Sequence, residues 1–272
     1  MKYLVLFLIV LSVQMTFSQV NTVDNSILKD RFRLNVGVYF PSQTIKIGAD
    51  GSSPNLNVDF NDAFDIKNNE STFFINFFWR FSKKWILLTE YFGIKNSKKI
   101  TLGQDIEWKD YTFKKESNVE GGYGLNMYRI LVGRVFSKGA KYEFGGGLGV
   151  HAMDVNAYIQ GQAFINDEDF GFKKSTVNSV IPLPNLGLWY FFAPHPKWAL
   201  IGRVDWFGIK IGEYSGTLWN LGPSINYQVF DNISIGAGYR YFKATVKMDK
   251  PDWNGDFSMS VKGPLINISG NF

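Results

Sequence analysis

Apolar and polar side chains alternate along much of the chain, and the alternation is clearest at its end. Ile266, Ile268 and the terminal Phe272 fall on one side of the last segment, and the positions on the other side are polar. A β-strand places successive side chains on opposite faces, so this pattern predicts a strand with one apolar face. A segment of about ten residues is also what a tilted strand needs to cross the hydrocarbon core of a membrane.

The same alternation predicts about ten strands, with twelve as the alternative count. The predicted strands cover residues 31–40, 71–81, 85–96, 123–136, 141–159, 177–192, 198–212, 217–230, 233–246 and 263–272. Apart from the short turn 212–216, short connections alternate with the long loops 41–70, 97–122, 161–175 and 247–256. This arrangement predicts an all-β fold, a transmembrane antiparallel up-and-down β-barrel. The first strand must then pair with the last one so that neither edge stays open.

The interior of this barrel is predicted to be narrow and filled. Gly145 and two further glycines of 141–159 share the inward face, which leaves room for large side chains opposite them. Pro182 and Pro184 lack the amide hydrogen that strand pairing uses, so regular pairing of 177–192 is expected only in its lower part.

The chain divides into three predicted segments. Met1–Ser18 has Lys2 followed by an apolar run that ends at small residues, which is typical of a cleaved secretory signal peptide. Residues 19–30 are expected to form an N-terminal periplasmic segment, and residues 31–272 the barrel domain. No later stretch has about 18 consecutive apolar residues, so any membrane span must come from strands. The chain has no cysteine, so no disulfide framework supports the fold.

Composition supports a sheet protein and excludes several functions. Aromatic residues make up 17% of the chain and glycines number 27, as expected for a barrel with aromatic girdles and close turns. The formal net charge of +5 comes from scattered basic residues, so we expect weak attraction to anionic lipid head groups and no nucleic-acid binding. No glycine-rich loop precedes a helix to hold a phosphate, and no cofactor is expected.

From about Arg31 to Phe272 the chain resembles a porin-like family of small outer-membrane β-barrel proteins of Gram-negative bacteria. The segments that carry the resemblance are Val58–Ile66, Pro182–Gly187, Gly238–Tyr241 and Gly263-Pro264 with the terminal Phe272. In the first of these, Ala63-Phe64 replaces the usual Asp-Leu. The resemblance implies an integral outer-membrane protein in contact with outer-membrane lipid and lipopolysaccharide. It also implies that the barrel assembly machinery reads the C-terminal strand through Ile266, Ile268 and Phe272.

Eight ionisable side chains are predicted to face the lumen. They are Arg80, Glu90, Arg129, Glu143, His151, Arg203, Asp205 and Arg240. Because an unpaired buried charge is costly, we expect them to pair and to close the lumen as a structural network. The alternative is that they line a water path or a small-solute site. Inward phenylalanines would then offer an apolar lining, namely Phe74, Phe78, Phe92, Phe207 and Phe242.

Catalysis and metal binding have weaker support. His151 could act as a base with Glu143 or Asp154, but no nucleophilic serine is spaced beside it, so we expect no catalytic residues. His195 lies in a proline-rich turn, where a structural role is expected. The acidic runs 167–169 and 59–65 have oxygen ligands suited to Ca²⁺ or Mg²⁺, but neither has the spacing of a calcium loop. Solvated loops without metal are the better interpretation.

The favoured function is a non-enzymatic outer-membrane barrel with a role in envelope structure or in binding through its loops. The chain is expected to be a monomer. The alternative is a narrow channel for small or hydrophobic solutes, and a lipid-modifying enzyme that uses His151 is a more distant possibility.

Overall fold

A computed structural model of the protein describes residues 25–48, 57–66, 71–109, 111–165, 168–211, 214–250 and 253–272. The predicted signal peptide and residues 19–24 lie outside these ranges, as do parts of the predicted loops 41–70, 97–122, 161–175 and 247–256 and of the predicted turn 212–216.

Strands make up most of the described chain. In order they are β1 (Phe32–Tyr39), β2 (Ser42–Gly48), β3 (Asn57–Asp59), β4 (Thr72–Arg80), β5 (Trp85–Thr101), β6 (Ile106–Trp108), β7 (Tyr111–Phe113), β8 (Asn118–Lys138), β9 (Tyr142–Ile165), β10 (Glu168–His195), β11 (Trp198–Ile211), β12 (Tyr214–Leu221), β13 (Ser224–Phe230), β14 (Ile233–Lys250) and β15 (Trp253–Asn271). Two short helices accompany them, α1 (Ser26–Lys29) and α2 (Phe60–Ala63). Neither of these helices is long and apolar enough to cross a membrane.

The strands form one closed antiparallel ring. Its wall runs in the order β1, β4, β5, β8, β9, β10, β11, then β12 with β13, then β14 and β15. β12 and β13 act as one wall strand interrupted at Gly222-Pro223, and β2 continues β1 along β15. The ring closes between β1 and β15, with Val36 opposite Ile268 and Val38 opposite Ile266. The predicted barrel of about ten strands, and the pairing of its first strand with its last, are therefore confirmed.

Three of the predicted long loops, 97–122, 161–175 and 247–256, are wrong, because strands occupy most of them. In the third, β14 continues to Lys250 and β15 begins at Trp253. In the first two, β5 continues to Thr101 and β8 begins at Asn118, while β9 and β10 continue to Ile165 and from Glu168. In this part of the sheet the outward side chains are polar and bind one another, as where Tyr158 donates a hydrogen bond to Glu120 at 2.7 Å. Without an outward apolar row, these residues lack the signal that marks the rest of the wall.

Pro182 and Pro184 leave the pairing of β10 with β9 intact and lie where the other edge of β10 is unpaired with β11. Pairing with β9 runs through both Pro182 and Pro184, contrary to the expectation that they would interrupt it. Pairing with β11 is limited to residues 186–195, so the prolines lie where the other edge of β10 has no partner in β11. A missing amide hydrogen costs nothing at an unpaired edge.

The outward face of the wall is apolar and is flanked by aromatic side chains. Ile130, Leu148 and Ile268 are more than half exposed, as is expected of side chains that face lipid. At the end with the short turns, Phe136 and Phe230 are also more than half exposed. This end is called the short-turn end below, and the opposite end, formed by the extensions of β5, β8, β9 and β10, the long-hairpin end.

The lumen is filled by large side chains. At the long-hairpin end, α2 is folded inward, and Phe60 and Phe64 are fully buried against Trp108 and Tyr123. The Phe64 ring lies where a side chain at Gly121 would be. Nearer the short-turn end, the buried Trp189 ring lies over two inward glycines, as the small residues of the inner face predicted.

We expect Gly145→Val to reduce the free energy of unfolding by about 1–3 kcal/mol, the usual cost of overpacking a filled interior. A Cβ at Gly145 would overlap the Trp189 ring. Urea unfolding in detergent, followed by heat-modifiable migration on a gel, measures the effect. Gly124→Val is the matched control, because nothing lies within 4 Å of a Cβ at that position. Equal stability of the two variants would contradict the packing described here.

Candidate functional site in the barrel lumen

The inward ionisable side chains form two separate layers. The structure brings six of the eight predicted residues together in what we call the central charge layer, comprising Glu90, Arg129, His151, Arg203, Asp205 and Arg240. The other two, Arg80 and Glu143, lie nearer the short-turn end. There they form the lower charge layer with Asp30, Arg33 and Lys138.

Strand register places part of the central charge layer side by side. Glu90 of β5 lies opposite Arg129 of β8, which in turn lies opposite His151 of β9. The remaining members come from β11 and β14 across the lumen. Cross-strand neighbours on one face have Cβ atoms about 5 Å apart, so this row forms wherever the register is kept.

Glu90 connects the two sides of the lumen. Its Oε2 accepts hydrogen bonds from Nη2 of Arg240 at 2.6 Å and from Nη2 of Arg203 at 3.3 Å. The Arg240 guanidinium also lies over the rings of Tyr39 and Phe92, with its carbon 5.6 and 5.1 Å from the ring centroids. One carboxylate thus holds two arginines, and packing fixes the orientation of one of them.

Asp205 holds the second half of the layer. Its Oδ1 accepts a hydrogen bond from Arg129 at 2.6 Å, and its Oδ2 accepts one from the Asn220 amide at 2.8 Å. His151 has Nε2 3.7 Å from Oδ2 of Asp205 and Nδ1 3.0 Å from the Asn185 side-chain oxygen. Arg129, His151 and Asp205 are almost completely buried, and Arg203, with 21% of its side chain accessible, is the most accessible member of the layer.

In the lower charge layer, Glu143 is surrounded by cationic and N–H groups. Nη2 of Arg80 donates a hydrogen bond to Oε1 of Glu143 at 3.2 Å, and Nη1 of Arg80 lies 2.9 Å from Oε2 as an ion-pair contact. The Lys138 ammonium lies 3.3 Å away, and the Trp189 indole donates to Oε1 at 3.4 Å. Glu143 itself is fully buried.

Helix α1 closes the short-turn end from inside. Asn25 caps the helix through a hydrogen bond from the amide of Ile27, and its side-chain nitrogen reaches the carbonyls of His195, Pro196 and Trp198 at 2.7–3.3 Å. Ile27 is buried in an apolar cluster with wall side chains. Residues 25–30 are therefore a plug, which we call the α1 plug.

Several of these residues were not among the predicted site residues. Arg33 donates to the Ile27 carbonyl at 3.0 Å and lies over the Phe78 ring. Its position on the polar face of the first predicted strand was a usable signal. Asn185 and Asn220 carry no charge, and nothing in the sequence distinguishes them from other strand asparagines.

The structure brings neither Glu143 nor Asp154 to His151. Glu143 is bound to Arg80, and Asp154 faces outward, where Asn126 lies 3.4 Å away. His151 is 1% exposed, between Asn185, Asn220 and the Phe242 ring. A base in this position has no route to a substrate in the structure described.

The acidic runs considered for metal binding have other partners. In the run 167–169, Asp169 accepts hydrogen bonds from the Gln162 side chain and the Gly171 amide. In the run 59–65, two carboxylates bind lysines. Asp59 lies 3.0 Å from Lys46, and Asp65 forms an ion pair with Lys98. Among the described residues, no group of three or more His, Asp or Glu side chains is arranged to hold a metal ion.

We expect Glu90→Gln to reduce the free energy of unfolding by about 3–5 kcal/mol, because breaking a buried ion pair leaves an uncompensated charge. Arg203 and Arg240 would both lose their carboxylate. Urea unfolding of the refolded barrel measures the loss. Glu107→Gln, at an exposed position of β6, is the matched control. A loss for Glu90→Gln no larger than that for Glu107→Gln would show that the layer contributes little to stability.

Docking of the α1 plug should weaken as the pH rises. Burial raises the pKa of the Asp30 carboxyl, which precedes the membrane-spanning strands, to about 6, although Arg33 opposes the shift. Because the docked state binds the proton more tightly than the free segment does, docking is strongest below the free pKa of about 4 and is lost progressively through pH 6. Hydrogen exchange of residues 26–30, corrected for intrinsic rates, should be slower at about pH 5 than at about pH 8.

In Asp30→Asn this pH dependence of exchange should disappear, because the side chain no longer titrates. Equal protection of the wild-type segment at both pH values would contradict the link between Asp30 and docking.

Comparison with known proteins identifies the fold. No protein-family model and no curated protein sequence matches the chain. The structure resembles that of the outer membrane protease OmpT from Escherichia coli, with a TM-score of 0.54, 9% identity, and coverage of 90% of this chain and 97% of that one. Two lesser resemblances follow. The toluene transporter TodX of Pseudomonas putida has a TM-score of 0.36, 10% identity and 93% coverage of each chain.

The attachment invasion locus protein Ail of Yersinia pestis, solved with the heparin analogue sucrose octasulfate, has a TM-score of 0.35 and 10% identity, and the match covers 87% of this chain and 97% of that one. At these identities the likeness concerns the fold and not the activity. Together with the apolar outward face of the closed ring, the match to OmpT identifies the chain as having the fold of an integral outer-membrane β-barrel protein.

Proposed function

We propose that this protein is a closed, non-enzymatic outer-membrane barrel that acts in envelope structure or in binding at its long-hairpin end. The observation that carries the proposal is the filled lumen. From the short-turn end it contains the α1 plug, the lower charge layer, the central charge layer and the apolar cluster around α2.

The pairing of the lumen charges argues against a conducting path. Opening the central layer would separate Arg240 from Glu90 and Arg129 from Asp205 while both pairs stay out of water, which is unfavourable. The inward phenylalanines do not form a lining either, because Phe74, Phe92 and Phe242 are packed within the apolar cluster. A channel for small or hydrophobic solutes is thus the second candidate.

The long-hairpin end offers surfaces for binding. β8, β9 and β10 extend well beyond the apolar band, and Phe172 of β10 is 70% exposed near Glu120 and Gln160. On the other side of the barrel, Lys243 lies opposite Trp219, and Lys262 lies opposite Tyr241. Lysines beside interfacial aromatics suit the phosphates of outer-membrane lipid and lipopolysaccharide.

The C-terminal strand suits recognition by an assembly machinery, and the closed ring suits a monomer. Ile266, Ile268 and Phe272 all point outward and are more than half exposed, which keeps them available to an assembly machinery. The wall closes on itself without a second chain, as expected of a monomer. Short turns would face the periplasm and the long hairpins the outside, as in other outer-membrane barrels.

Reconstitution in planar lipid bilayers tests the closed lumen. We expect no steady conductance from the full mature chain, because paired charges and plugs fill its cross-section. A wide-pore porin measured in parallel controls for insertion, and heat-modifiable migration confirms that the barrel is folded. Steady conductance of uniform size would overturn the closed-barrel proposal in favour of the channel.

A further inference from the structure

A small cavity separates the two charge layers. Its volume is about 50 Å³, room for about three or four waters or one small ion. Arg33 borders it from the lower layer, and Arg203 and Arg240 border it from the central layer. Its other polar lining residues include Ser224 and four asparagines, namely Asn35, Asn76, Asn226 and Asn267. Among the described residues, no carboxylate lines it.

The charges around this cavity do not balance. In the central layer as described, three arginines face two carboxylates. Asp205 compensates Arg129 at 2.6 Å, and Glu90 alone serves Arg203 and Arg240 through one oxygen atom. His151 can only add positive charge. One buried positive charge is thus left over on the side of the layer that faces the cavity, and such a charge is costly without a counter-ion.

One of the arginines that border the cavity has an unsatisfied donor. Nη1 of Arg240 is buried and has no hydrogen-bond partner, although Arg240 is only 1% exposed. On the opposite side, Arg33 donates through Nη2 to the Ile27 carbonyl at 3.0 Å and forms an ion pair with Asp30, with Nε 3.8 Å from Oδ2. Buried arginine nitrogens normally have partners, so Arg240 is short of an acceptor beside the cavity.

We propose that this cavity binds one small inorganic anion, a halide or a small oxyanion, between Arg33, Arg203 and Arg240. The excess charge supplies the attraction, and guanidinium and amide N–H groups supply the donors. Leu88, Phe191 and Ile201 bound the rest of the cavity and exclude a larger ligand. This site does not depend on the proposed function, because a conducting and a closed barrel would both need the counter-ion.

Anomalous diffraction from the full mature chain refolded and crystallised in sodium bromide tests the proposal directly. We expect one bromide peak in the cavity, within hydrogen-bond distance of Arg203 and Arg240. Waters alone in the cavity, or bromide only on exposed surface lysines as an adventitious ion only, would overturn the proposal. This measurement needs no variant, so it remains decisive if a substitution prevents folding.

A solution experiment adds the matched variants. Unfolding midpoints in urea are compared in bromide, chloride and phosphate against gluconate at equal ionic strength, since gluconate is too large for the cavity. The unfolding midpoint of the wild-type protein should rise in at least one small anion. A rise in bromide or chloride indicates a halide site, and a rise in phosphate indicates an oxyanion site. The Arg203→Met variant keeps the Glu90–Arg240 and Arg129–Asp205 ion pairs, but its unfolding midpoint should no longer rise in the small anion. Arg134→Met, at an outward arginine over Trp85, should keep the rise.

No shift in wild type, or an equal shift in Arg203→Met, would overturn the proposal.

Discussion

A narrow barrel can hold charged side chains in its lumen only if they neutralise one another, since little water reaches them. The rest of this structure depends on that constraint. Glu90 binds two arginines, Asp205 binds Arg129, and Glu143 binds Arg80. The partners in each ion pair come from different strands. These pairs connect opposite walls, so they fix the cross-section of the barrel and leave large aromatic side chains to fill the space above and below.

The inward face of each wall strand meets the filled lumen, and its outward face meets lipid or water. The point where the outward side chains change from apolar to polar marks where the strand leaves the membrane. Within the membrane the outward row is apolar, as at Leu148 and Ile268. Beyond it, β9 keeps its inward apolar row, and its outward row becomes polar, with Tyr158 bonded to Glu120. The sheet therefore continues into water without a break in its pairing, which places a rigid surface outside the lipid.

Strict alternation allowed the wall, its closing pair of strands and the inward direction of the eight ionisable residues to be predicted. The partners of those residues could not be predicted, because period two determines the face of Glu90 and not which strand lies opposite it across the lumen. His151 shows the consequence, since its neighbours come from β10 and β12 and not from the acids nearest in sequence. The α1 plug was missed as a structural element because one helical turn has almost no periodic signal.

The contacts of the α1 plug imply an order of assembly in which the lumen is sealed last. Ser26 donates to Gln228 and accepts from Asn271, the last residue of β15, and the seam beside it joins residues more than 200 positions apart. Contacts so distant in sequence form late, since a long loop must close first. The bond to Asn271 can form only once β15 has joined the wall, so a half-built barrel would still be open at its short-turn end. Completion of the wall and docking of the N-terminal turn then become a single cooperative event.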